Sequence, residues 1–156
     1  MIAIALVSAY LILVTVATAT AKGAAIRQTE RGSSALVFLA THPKAGTHHS
    51  RARLERRSKQ RIWNGLKLAG VYDPFMCIHR HESISWTIYN PPYAGGMQEN
   101  DGFQATYGGE YLRLWGNASH WIPALQVLAA YRAFHGYHGF AARGYTPWST
   151  ASACGL

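Results

Sequence analysis

Hydrophobic positions divide the chain into three stretches. From Ile2 to Val16 almost every side chain is apolar, and the small residues Ala17, Thr18, Ala19, Thr20 and Ala21 follow. A run of this length suits an export signal, with Ala19-Thr20-Ala21 as the small-x-small cleavage site, or an uncleaved anchor. Residues 22–50 mix small, polar and basic types without a sustained period. The apolar patch Ala35 to Ala40 inside them fits a short strand, a local helix or a membrane-surface contact. A partly helical segment follows, with Ser50 as its expected cap and Leu54, Ile62 and Leu66 as a weak apolar stripe. From Asp73 the periods sharpen. Asp73-Pro74 reads as a helix start, Asp as N-cap and Pro at the first helical position, and that helix runs to about Ser83. A second helix is expected within Phe103 to Trp115, broken at Gly108-Gly109. A long one is predicted from Ser119 to Phe134, with Pro123 in its first turn and Gly136 as its stop. Trp121, Leu125, Leu128 and Tyr131 line one of its faces and Ile122, Ala129 and Ala133 another, which makes it the expected central core helix. Asn90 to Gly96 is turn-rich and predicts a short hairpin or loop passing close to the end of the Asp73–Ser83 helix.

Composition narrows this picture. Of 156 residues, 14% are charged, against roughly 25% in an average soluble domain, and the length suits one modest domain. The formal net charge of +8 is unevenly spread. Residues 22–67 hold eleven Lys/Arg and two Glu, whereas residues 71–156 hold four Arg and five acids. This distribution excludes a uniformly basic nucleic-acid-binding domain, and a single long apolar run excludes a polytopic membrane protein. The expected organisation is a leader or anchor over 1–21, a basic, partly helical linker over 22–69, and a small, mainly α domain over 70–156. The dense basic run Arg51, Arg53, Arg56, Arg57, Lys59 and Arg61 has Glu55 as its one acid. It suits a solvated linker, attachment to an anionic lipid or wall polymer, or, as the competing version, nucleic-acid contact.

The aromatic-rich last stretch is bracketed by the two cysteines, Cys77 and Cys154. In an exported chain they are expected to pair, closing a loop worth about 4–5 kcal/mol in the chain-entropy model; in a reducing compartment they would stay free. Glu82 falls in line with Phe75 and Ile78 at 100° per residue, in the last turn of its helix. It reads as a general acid in a half-buried position or as an exposed terminal Glu. His79 and His81, at i and i+2 on a helix, point apart and cannot chelate together, and no Cys/His set has zinc spacing.

The order Cys77-Ile78-His79-Arg80-His81-Glu82-Ser83, then Trp86, then Gly95-Gly96-Met97-Gln98, with Trp148 and Cys154-Gly155-Leu156 at the end, resembles the transglycosylase-like, lysozyme-superfamily domain of resuscitation-promoting factors. The Glu-Ser pair followed by a Gly-x-Met-Gln box is also similar to soluble lytic transglycosylases. The resemblance covers about residues 70–156. It implies an α+β lysozyme-like fold, mainly α, that cleaves the β-1,4 bond between N-acetylmuramic acid and N-acetylglucosamine in peptidoglycan. Glu82 matches the catalytic acid, Gly96 and Gln98 the box lining the substrate groove, and Trp86 and Tyr93 the aromatics near the sugar. Four residues separate Cys77 from Glu82, where the shortest family motif has none, and Ile84-Ser85 replaces the glycines that commonly follow Glu-Ser. Glycosidases commonly use two carboxylates, about 5–5.5 Å apart when retaining and 6.5–9.5 Å apart when inverting. Glu99 and Asp101 are the candidates for a second one, or plain loop solvators. Lytic transglycosylases manage with a single Glu because the substrate's N-acetyl group assists. The expectations that follow are a secreted or extracellularly anchored, wall-associated monomer acting on glycan strands, with no cofactor, no metal and no nucleic acid. A non-catalytic glycan-binding or signalling module of the same fold is the alternative, motivated by Ile84-Ser85.

Overall fold

The structure, a computed structural model, describes the backbone of residues 2–156 and the side chains of residues 19–156. The side chains of the apolar run over residues 1–18, and with them the leader-or-anchor expectation, lie outside what is described. Among those described, no helix is long and apolar enough to cross a membrane.

Small residues make the first half of the fold. Helix α1 (Ile2–Thr41) turns back through a short loop into α2 (His48–Leu68), and the two pack side by side. A Cβ at Gly32 would lie 2.7 Å from both the Ile62 side chain and the Ser58 carbonyl, and one at Gly65 would strike Thr29. Only glycine lets the backbones approach this closely. The buried positions of the pair are accordingly Ala25, Thr29, Ser33, Leu36, Leu39, Ser58, Ile62 and Leu66. At the turn, Thr47 caps α2 by accepting from the Ser50 amide at 3.2 Å, so the cap lies three residues before the expected Ser50. The Arg51 guanidinium donates to the carbonyls of His42 (2.6 Å) and Leu39 (2.7 Å), satisfying the end of α1.

The linker expected over 22–69 is therefore a packed helical hairpin. Leu36, Ile62 and Leu66 belong to the same buried cluster as Phe75, Leu128 and Trp148. Charge fastens it as well. Arg132, 1% exposed, donates from Nε to Glu30 Oε1 (2.8 Å) and from Nη2 to Glu30 Oε2 (2.6 Å) and Glu110 Oε1 (2.9 Å). Its Nη1 donates to the Tyr107 carbonyl, and the guanidinium lies against the Tyr111 and Tyr137 rings. Burial works against this charge, but the bonds and fields of Glu30, Tyr111 and Glu110 outweigh it and hold the Arg132 pKa above its ordinary value. Ser33 adds a 2.6 Å hydroxyl–hydroxyl bond to Tyr111.

The second half is mainly helical with a small sheet. Helix α3 (Tyr72–Glu82) starts one residue before the expected cap: Val71 is the N-cap, and Asp73 lies in the first turn, where its charge suits the helix dipole. Strands β1 (Tyr89–Asn90), β2 (Tyr93–Ala94) and β3 (Glu99–Asn100) pair antiparallel in that order, Tyr89 opposite Ala94 and Ala94 opposite Glu99. Helix α4 (Asp101–Trp115) is capped by Asn100, and non-helical backbone at Gly108 breaks it where the Trp121 ring fills the space a side chain would need. The predicted Ser119–Phe134 helix divides in two, a 3-10 turn (Ala118–His120) and then α5 (Pro123–His135), because Pro123 opens α5 rather than sitting inside it. Helix α5 is buried on most sides, and Phe75 of α3 meets Phe134, Tyr145 and Trp148 edge to face beside it. A final 3-10 helix (Ser149–Cys154) is tied back to α3 by the Cys77–Cys154 disulfide.

Candidate functional site

Glu82 ends α3, and Phe75 and Ile78, which share its side of the helix, are buried beneath it. Its carboxyl is half-buried. Thr150 Oγ1, from the final 3-10 helix, donates to Glu82 Oε1 at 2.6 Å, while Oε2 accepts no hydrogen bond among the described residues. Three ties hold Thr150 in place. The Cys77–Cys154 disulfide joins the two elements, the buried Trp148 donates its indole N–H to the Met97 carbonyl at 2.9 Å, and the Trp148 ring packs on Phe75. One carboxyl oxygen is thus oriented by a fixed donor and the other is not. Next in the chain, Ser83 closes a tight turn with Ser85, and Ile84 projects with 99% of its surface exposed.

Behind Glu82 the Gly-Gly-Met-Gln box is built by packing. His79 donates from Nδ1 to the Gly96 carbonyl at 2.9 Å and stacks on Trp86, ring centroids 3.6 Å apart. A Cβ at Gly96 would run into both rings. Gln126, fully buried in α5, accepts from the Gly96 amide at 2.7 Å and donates to the Trp86, Ala118 and Trp121 carbonyls. Trp86 and Gly96 therefore belong to this support.

Tyr93, Gln98 and Glu99 come together elsewhere, in the wall of a groove of about 500 Å³ that Phe103, Arg143 and Trp148 also line. Tyr93 is exposed there. Gln98 has left-handed backbone (φ 49°) and turns its amide back to the Gly95 carbonyl at 2.8 Å. Trp148 lines this groove and stands two residues from Thr150, whereas Glu82 is not part of the lining.

The two candidate second carboxylates separate. Asp101 is exposed in the first turn of α4. Glu99 is not the loop solvator it resembles in the sequence: it is 2% exposed, neither carboxyl oxygen has a partner among the described residues, and burial pushes its pKa well above the usual carboxylate value. With both oxygens shielded, it cannot activate a water in this arrangement. The nearest approach to a metal-ligand cluster among the described residues is Cys77, His81 and Cys154, and its two sulfurs are bonded to each other. Sequence reasoning missed Thr150, Gln126 and Arg132. Gln126 and Arg132 do leave a trace, as polar interruptions of an otherwise apolar helix. No protein-family model, no curated protein and no solved structure matches this chain.

Proposed function

We propose that this protein cleaves the β-1,4 glycosidic bond between N-acetylmuramic acid and N-acetylglucosamine in exported peptidoglycan, with Glu82 as the single general acid and base. The Glu82–Thr150 bond carries the reading. It fixes one oxygen of a half-buried carboxyl at a helix end and leaves the other without a hydrogen-bond donor among the described residues, so that it is free to serve in proton delivery to a bridging oxygen. The residues suited to hold a glycan line the groove that reaches Trp148, two residues from Thr150: Tyr93 offers a flat face to a pyranose, and Gln98 and Arg143 offer polar groups. Shielding of both Glu99 oxygens favours a one-carboxyl mechanism. In that mechanism Glu82 protonates the leaving oxygen, then takes the proton from the attacking hydroxyl, either water or the muramoyl 6-hydroxyl.

The test is digestion of purified sacculi followed by mass spectrometry. Soluble muropeptides are expected from the protein and none from Glu82→Gln. A 1,6-anhydro end identifies attack by the muramoyl hydroxyl, and a reducing end identifies water. Release undiminished in Glu82→Gln refutes the assignment of the acid. Retention on sacculi without any release supports the non-catalytic glycan-binding alternative instead.

A further inference from the structure

The hairpin sorts the basic run into cations that are engaged and cations that are free. Arg51 is tied to the carbonyls ending α1, and Lys59 pairs with Glu55. Arg53, Arg56, Arg57, Arg61 and Lys67 are exposed instead. At 100° per residue they share an arc of about 140° on α2, together with His49, Ser50, Gln60, Asn64 and Leu68. That arc is opposite the buried Ser58, Ile62, Gly65 and Leu66 and contains no acid. None of the four arginines has an ion pair among the described residues, and Lys67 lies over the Tyr72 ring. The result is a straight cationic edge about 21 Å long at 1.5 Å per residue.

We propose that this outer face of α2 binds a linear, base-free phosphodiester polymer of the polyol-phosphate type. Guanidinium groups match phosphate oxygens in bidentate pairs, and a row of them along a rod suits charges strung on an unbranched chain. A lipid surface is the poorer fit. Helices that lie on membranes bury an apolar face there, whereas the apolar side of α2 is packed against the rest of the protein and the arc carries a single exposed apolar side chain, Leu68. A nucleic acid is also the poorer fit, because the arc carries no Phe, Tyr or Trp on which a base can stack, and its single aromatic ring, His49, lies at one end. The cell-wall reading above enters only in where such a polymer would be met. Binding is measured without turnover, so failure here and failure of cleavage are separate results.

The experiment titrates the full chain, kept in an uncharged detergent, with fluorescent poly(glycerol phosphate) across a salt series. With four to five phosphates neutralised and a slope of about −0.7 per contact, affinity should fall roughly seven- to elevenfold between 0.1 and 0.2 M salt. The triple variant Arg53→Gln/Arg57→Gln/Arg61→Gln should bind at least tenfold more weakly with less than half that slope. Arg27→Gln/Arg31→Gln, which removes two exposed cations from α1, should bind as the unaltered chain does. Circular dichroism melting checks that both variants are folded. The proposal is overturned by absent binding, by equal binding in the triple variant, by equal loss in the α1 variant, or by equal or tighter binding of a single-stranded oligonucleotide or of phosphatidylglycerol vesicles.

Discussion

Replacing Glu99 should make this protein more stable. Its carboxyl is 2% exposed with both oxygens unpartnered, and an unsatisfied buried polar group costs about 1–3 kcal/mol. Glu99→Met keeps the length of the side chain and removes that cost. In a chain of this size about 2–4 °C accompanies each kcal/mol, so the midpoint of thermal unfolding should rise by roughly 2–12 °C at neutral pH. The pH dependence has a defined sign. Burial raises the folded-state pKa, so the native protein holds the Glu99 proton more tightly than the unfolded chain does. Stability from this group is then complete below the unfolded value of about 4.3 and is lost as pH rises through the window up to the folded value, by up to about 1.4 kcal/mol per pH unit. His135 contributes the opposite trend. Burial lowers its pKa, so stability falls as pH drops through the unfolded histidine value of about 6.5. Both variants retain His135, so subtracting curves isolates Glu99. The assay is urea or thermal unfolding followed by circular dichroism from pH 4 to 8 in three proteins. Glu99→Met should gain stability throughout and Glu99→Gln should lose only the carboxyl's pH slope, because its amide remains unpartnered. A Glu99→Met protein that melts below the unaltered one at pH 7, or a Glu99→Gln protein with an unchanged slope, refutes the argument.

Two further outcomes are expected. Thr150→Val should lower kcat for muropeptide release about tenfold with KM unchanged, and Thr150→Ser, which keeps the hydroxyl that reaches Glu82 at 2.6 Å, should restore it; a change confined to KM counts against a positioning role. Arg132→Met leaves Glu30 and Glu110 without their shared cation and should cost about 3 kcal/mol, the lower end of the range for a broken buried pair because both acids are partly wet. Urea unfolding measures that loss, and an unaffected midpoint means that the hairpin is held by apolar packing alone.

Much of the second half was legible from local pattern. The helix carrying Glu82, the Gly108 break, the buried central helix and the turn-rich sheet region each follow from neighbouring residues whose effects act within one or two turns. Where those local readings slipped, they slipped at boundaries: Val71 rather than Asp73 caps α3, and Pro123 opens α5. The helical hairpin was not legible. Its closest contacts come from Gly32, Gly65, Thr29 and Ala25, and small residues leave no hydrophobic period even though they permit the closest packing.

Charge shows the same division. Composition alone established that residues 22–67 are basic, and which cations remain free was decided only when α2 folded against α1 and engaged Arg51 and Lys59. The run Glu99-Asn100-Asp101 looks uniformly polar in one dimension. Strand β3 turns its first carboxyl inward, and the chain then enters α4 at Asp101, whose carboxyl stays in water. Thr150 lies 68 residues from Glu82 and is brought to it by the disulfide and the Trp148 ring. Sequence determines what each segment prefers over a few residues, and the solvent exposure and partners of a side chain depend on segments far away along the chain, which only the assembled tertiary structure brings into contact.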